Sequence, residues 1–194
     1  MKKFNGKYRI KSSRLPGWDY GRDGIYFVTI CTKDRRHYFG NIRNGVMNLS
    51  DIGEIANTCW LAIPNHFPFV VLHNHMVMPN HVHGLIEIAK NDNQNTVNLD
   101  ANTVETQNFA SLQKPKTSQP SSYKNKFGPQ SRNLSSIIRG FKIGVTKNAR
   151  YIQPDFKWQS RFHDHIVRNE NSYYRIKNYI INNPINWDSD EFNR

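Results

Sequence analysis

The sequence predicts an α+β sandwich, a two-layer arrangement in which a mainly antiparallel central sheet carries helices packed on one face. Three observations lead there. A segment rich in β-branched and aromatic residues falls at 25–32, and 70–78, 81–89 and 158–167 also read as strands, each long enough for one. Between them, apolar residues recur at three and four at 52–63 and 134–149, and again ahead of Pro184, which is helical spacing. Short turn signals, Asp23-Gly24, Asn44-Gly45 and Pro79-Asn80, join or bound the strands and favour antiparallel neighbours.

Taken in order, residues 1–22 form a basic arm. Lys2, Lys3, Lys7, Arg9, Lys11 and Arg14 all precede the first acid, Asp19. Residues 25–32 read as a central strand and 35–49 as a hairpin. Ile52, Ile55, Ala56, Cys59, Trp60 and Ile63 form one face of a helix that Pro64 ends. The strands at 70–78 and 81–89 follow, the second burying Val82, Gly84, Ile86 and Ile88 and turning His81, His83, Leu85 and Glu87 to the other side. Residues from about 91 to 132 are polar, rich in Asn, Gln, Ser, Thr and Pro, and lack period, so they read as a flexible insertion within a single domain spanning 23–188. A helix capped by Asn133 carries Leu134, Ile137, Ile138, Phe141, Val145 and Ala149 inward and Arg139, Lys142, Lys147 and Arg150 outward. A last strand, a helix capped by Asn171 or Ser172 and ended by Pro184, and a tail at 189–194 complete the chain.

The 194 residues suffice for one core, and no long apolar run or signal-peptide pattern is present, which points to a cytoplasmic protein without a membrane partner. Cys31 and Cys59 sit in apolar contexts and read as reduced core residues. A formal net charge of +12 is large for this length and calls for a polyanionic partner, most simply nucleic acid. The six cations of the arm read equally as a phosphate-binding segment or a solubilising tail; Arg139 and Lys142 read as part of a DNA path or as a solvated face.

The chemistry concentrates in Met78-Pro79-Asn80-His81-Val82-His83-Gly84. In a strand, residues two apart share a face, so His81 and His83 present two imidazoles side by side, which suits a divalent ion. Taken alone, such a pair is more often satisfied core or surface histidine. A hydroxyl that could react lies far down the chain in Tyr179-Ile180-Ile181-Asn182-Asn183, where Tyr179 and Asn183 stand one helical turn apart. Tyr173 and Tyr174 on the same helix are the alternative nucleophiles. His73 and His75 form a second period-two pair, and four imidazoles together would suit zinc in a structural or hydrolytic role, with Glu87 the one obvious acid.

Met78-Pro79-Asn80-His81-Val82-His83, Trp158-Gln159-x-Arg161-Phe162-x-x-His165 and Tyr179-Ile180-x-x-Asn183-Pro184, together with Arg14-Leu15-Pro16-Gly17-Trp18-Asp19-Tyr20 and Tyr26-Phe27-Val28-Thr29-Ile30-Cys31-Thr32, resemble the REP-associated tyrosine transposases within the single-tyrosine HUH transposase superfamily. The resemblance spans most of residues 10–188 outside the insertion. It implies a ferredoxin-like HUH fold with the histidines on a central strand and the tyrosine on a helix packed across it. It also implies cutting and rejoining of single-stranded hairpin DNA of palindromic repeats through a 5′-phosphotyrosine at Tyr179. His81 and His83 would hold Mg²⁺ or Mn²⁺, the latter better matched to imidazole. Asn183 takes a position where many relatives carry glutamine, and either completes the metal site or positions Tyr179 or the DNA. The arm would hold a short guide sequence beside the hairpin, as a monomer or homodimer, with no small-molecule substrate. A hairpin-binding protein that no longer cuts is the second reading.

Overall fold

The computed structural model describes residues 14–90 and 131–193, with the backbone of two dipeptide strands, Lys3–Phe4 (β1) and Lys7–Tyr8 (β2), paired antiparallel. The arm's Lys2, Lys3, Lys7, Arg9 and Lys11 side chains, and nearly all of the insertion, lie outside the described residues.

Strands β3 (Gly24–Cys31), β6 (Val70–Met78), β7 (His81–Ile88) and β8 (His163–Val167) form one sheet in the order β6-β7-β3-β8, with every neighbour antiparallel. The strands β4 (Gly40–Arg43) and β5 (Val46–Leu49) make a separate hairpin, turning at Asn44 and Gly45 with φ of 52° and 72°. Both turn residues have positive φ, as a tight two-residue hairpin connection demands.

Helices α1 (Asp51–Leu61), α2 (Ile63–His66) and α3 (Leu134–Ala149) cover one face of the sheet. Their side chains, Ile52, Ala56, Trp60, Ile63, Leu134, Ile137, Ile138, Phe141 and Val145, pack on Tyr26, Val28, Ile30, Val82, Ile86 and Ile88. Asn133 caps α3 as the sequence suggests, and Ser50, to which sequence reasoning gave no such role, caps α1; each accepts from a backbone N–H in the first turn. Gly84 lets the layers meet, since a Cβ there would stand 2.1 Å from the Trp60 ring.

Helix α4 (Glu170–Asn182) lies across the opposite face, where Tyr173, Ile176 and Ile180 pack on Ile25, Leu85 and Val167. The odd residues of β7 face this helix and the even ones face α1 and α3, as strand alternation requires. The cap of α4 is Asn169, which accepts from the Ser172 N–H, instead of Asn171 or Ser172. The last strand is also shorter than the 158–167 expected. Arg161 takes a φ of 69°, which no strand continues through, so regular pairing starts at His163 and Trp158 contributes only an isolated bridge to Thr32.

One expectation about faces fails. His73 and His75 do not share a side, because a bulge between Leu72 and His75 inserts a residue into β6. His73 meets Glu87 and Tyr173 on the α4 side, whereas His75 binds the side chain of Asn57 at 2.8 Å and stacks on Trp60 on the other. The four imidazoles therefore never converge, and among the described residues no three His, Cys, Asp or Glu side chains are grouped to hold a metal.

Candidate active site

The site begins at the end of β7, where two buried histidines look out from the central sheet towards α4. His81 is 0% exposed and His83 1%. Their Nε2 atoms are 2.9 Å apart, so both ring edges aim at one point. Nδ1 of His81 is 2.8 Å from Oδ1 of Asn80, whose amide nitrogen donates to the carbonyls of Phe192 and Arg35. With the amide nitrogen so committed, Oδ1 accepts from His81, which fixes the proton on Nδ1 and leaves Nε2 a bare lone pair. Nδ1 of His83 is 2.9 Å from the hydroxyl of Thr29, directly across the ladder on β3. A threonine hydroxyl can donate or accept, so His83 can free its own Nε2 in the same way.

Burial pushes the His83 imidazole down to about 3, with the charge on His163 adding to the shift. His81 is held well below its ordinary value by burial first, then by His83, Arg35 and His37. Both rings are therefore neutral at physiological pH, the state in which imidazole ligates metal.

Tyr179 comes in from α4, its hydroxyl 3.2 Å from Nε2 of His83 and its ring centroid 5.2 Å from the imidazole. Phe27 stacks on His83 at 5.3 Å and meets Tyr179 edge-on at 6.1 Å, wedging the two at a fixed spacing. Burial raises the Tyr179 phenol to about 12, the nearby Asp190 and Glu191 carboxylates reinforce the shift, and the Asn183 amide opposes it. Tyr173 and Tyr174 do not reach the histidine pair. The first hydroxyl is engaged by His73, and the second ring lies on the outer side against Tyr173.

Asn183, one turn beyond Tyr179, is buried. Its amide nitrogen donates to Asp190 at 2.8 Å, while its Oδ1 is buried without a hydrogen-bond partner. The carboxylate of Asp190 also accepts from the N–H of Phe192. The Phe192 ring covers His81 at 4.7 Å and is itself covered by the Arg35 guanidinium at 4.2 Å. The tail thus lies over the histidine pair. Sequence reasoning assigned no role to Thr29, Asn80, Asp190 or Phe192. Thr29 was within reach, being on the inward-facing period of β3 opposite His83, but the tail residues carry no periodic signal.

The two imidazoles are spaced as ligands of one divalent ion would be. Two cis ligands of an octahedral ion at about 2.1 Å stand about 3 Å apart, close to the observed spacing of the two Nε2 atoms. Two neutral imidazoles and an orphaned amide oxygen, that of Asn183, are suitable donors for Mn²⁺.

The predicted DNA-contacting cations that are described have mixed surroundings. Arg14 pairs with Asp164 and lies over the Phe162 ring at 3.9 Å. Lys142 donates to the carbonyls of Gln159 and Arg161, and burial lowers it to about 8. Arg139 is exposed and lines, with Lys142, Lys147 and Arg161, a cleft of about 470 Å³ on the outer side of α3.

No protein-family model matches the chain. An "Uncharacterized protein" of Haemophilus influenzae is 39% identical over 191 residues, covering 97% of this chain and 96% of that one. A second protein of that organism, named "Putative REP-associated tyrosine transposase", is 22% identical over 167 residues, covering 86% of this chain and 73% of its own. Among solved structures, a REP-associated tyrosine transposase bound to a REP hairpin superposes with a TM-score of 0.53 at 16% identity, covering 96% of this chain and 74% of that one. The protein and its uncharacterized Haemophilus influenzae relative belong to one family, and this chain is similar in sequence to a protein named as a REP-associated tyrosine transposase and has the α+β fold of the solved one.

Proposed function

We propose that the protein cuts and rejoins single-stranded hairpin DNA through a covalent bond between Tyr179 and a 5′-phosphate, assisted by a divalent metal held at His81 and His83, with Asn183 as the third donor. One observation carries the reading. A tyrosine hydroxyl 96 positions away in sequence stands 3.2 Å from Nε2 of His83, across two elements that the fold brings together. The relative bound to a REP hairpin supports the choice of DNA partner.

In the step proposed, the Tyr179 oxygen attacks a backbone phosphorus, the bond from phosphorus to the 3′-oxygen breaks, and the phenolic proton is lost as the 3′-oxygen gains one. Attack by another strand's 3′-hydroxyl reverses the step and joins strands without an external energy source. A phenol held near 12 is almost wholly protonated at neutral pH, so the electrophile must be strongly polarised. The bound ion would supply this by drawing charge off a non-bridging phosphate oxygen. The chain's own part is to keep both imidazoles neutral and aimed, through Asn80 and Thr29, and to hold Tyr179 against Phe27 beside them.

The test is a covalent-adduct assay with purified protein, Mn²⁺ and labelled single-stranded oligonucleotides tiled across palindromic DNA flanking the gene, run on a denaturing gel. An adduct is expected, lost on chelation and in Tyr179→Phe, while hairpin affinity survives the substitution. Tight binding with no adduct from any oligonucleotide would favour the second reading, a hairpin-binding protein that does not cut. The enclosure of the histidines beneath Phe192 is the observation on that side.

A further inference from the structure

We propose that Tyr173, His73 and Glu87 form a tie that sets the rotation of α4 and so aims Tyr179 at the histidine pair, an inference that rests on the function proposed above. The Tyr173 hydroxyl is 3.2 Å from Nδ1 of His73, and Nε2 of His73 is 2.9 Å from Oε2 of Glu87. With the carboxylate accepting, the His73 proton sits on Nε2, which leaves Nδ1 to accept from the phenol. Each link has a defined donor, and the three side chains come from three elements, α4, β6 and β7. Tyr173 is 7% exposed, and the His73 and Glu87 side chains 11% and 13%. The Tyr173 ring also meets the imidazole edge-on at 5.5 Å. The β6 bulge is what makes the tie possible, because it keeps His73 on the α4 side while the rest of β6 continues in register.

The helix needs such a device because of how it is seated. Its buried apolar contact with the sheet is one stripe, Tyr173, Ile176 and Ile180, and the Tyr179 phenol beside it meets Phe27 and His83 only through its own side chain. A stripe of this kind resists lifting but only weakly resists rolling, since apolar burial is non-directional. Tyr179 is not in the stripe. It projects from the flank, 41% exposed, six residues and thus about 9 Å along the axis from Tyr173. A phenol oxygen roughly 9 Å from the helix axis moves about 1.5 Å for a roll of about 10°. Misplacement of about 1 Å can cost on the order of a hundredfold in rate. Hydrogen bonds are directional, so a bonded Tyr173 at the first turn defines the roll that the stripe leaves loose.

The experiment compares full-length wild type, Tyr173→Phe and Glu87→Gln in single-turnover adduct formation at saturating hairpin oligonucleotide with Mn²⁺, alongside oligonucleotide affinity and melting temperature. Tyr173→Phe keeps the ring and removes the bond. It should slow adduct formation about tenfold to a hundredfold while affinity stays at the wild-type value and the melting temperature falls by only a few degrees, about what one lost hydrogen bond costs. Glu87→Gln, whose amide oxygen still accepts from Nε2, should stay close to wild-type rate. A wild-type rate in Tyr173→Phe would overturn the proposal. So would a slower rate matched by equal losses of affinity and melting temperature, which would mean packing alone. If the wild type forms no adduct, the function reading fails separately, and amide exchange then decides the tie. The α4 amides of Tyr173→Phe should exchange faster than wild type while β7 is unchanged, and equal exchange in α4 would overturn it.

Discussion

At the residue scale, the histidine pair depends on neighbours that carry no chemistry themselves. Thr29 is the clearest, since its hydroxyl is the partner of His83 Nδ1 and it is buried among apolar side chains. Thr29→Val preserves shape and removes the partner. Losing such an outer contact typically costs about 10–100-fold in metal affinity, and that range is expected here for Mn²⁺ binding read by titration calorimetry; unchanged affinity would mean that ring packing against Phe27 orients His83 by itself. What the sequence shows at this scale is uneven. Period-two spacing is enough to pair His81 with His83 and to turn Val82 inward. It misplaces His75 relative to His73, because an inserted residue leaves no mark in composition yet flips every side chain after it. Asn183 was legible as a residue one turn from Tyr179, but its bond to Asp190 was not, since that contact depends on how the tail folds back.

At the element scale, helices announce themselves by caps and periodic apolar stripes, which is why α3 begins where Asn133 suggests and α1 carries the stripe Ile52, Ala56 and Trp60. The tail has neither. After the short 3₁₀ turn at Trp187–Ser189, its position is fixed by Asp190 bonding Asn183, by the Phe192 carbonyl accepting from Asn80, and by Phe192 on His81. Removing residues 188–194 should therefore expose both imidazoles and remove two carboxylates that raise the Tyr179 phenol. Negative charge nearby disfavours phenolate, so its loss lowers the phenol's pKa and increases the reactive fraction at a given pH. In the full chain, adduct formation should climb with pH from 7 to 9 by about tenfold per unit, as expected for a nucleophile titrating near 12. The truncated chain should show the same slope displaced to lower pH, and superimposable profiles would show that the tail does not bear on the nucleophile.

At the scale of the whole molecule, burying two neutral imidazoles between sheet and tail couples stability to pH. The folded-state value of His83, about 3, lies below the 6.5 of an unperturbed histidine, and His81 shifts the same way. Below pH 6.5 the unfolded chain therefore binds protons that the folded chain refuses. Stability is complete above that pH and declines beneath it by about 1.4 kcal/mol per unit for each histidine, towards pH 3 for His83. A divalent ion that ligates both rings acts on the same balance from the other side, because it binds only the folded arrangement. At a hundred times its dissociation constant it should add roughly 3 kcal/mol, seen as a raised melting temperature. Free histidine would begin to lose its ligand capacity near pH 6.5, but these rings stay unprotonated well below it. The Mn²⁺-induced rise in melting temperature should therefore persist at pH 6 at close to its size at pH 7.5, and vanish at both in His81→Ala. A rise that halves by pH 6 would mean the imidazoles titrate like exposed ones, and that the enclosure of the site opens readily in solution.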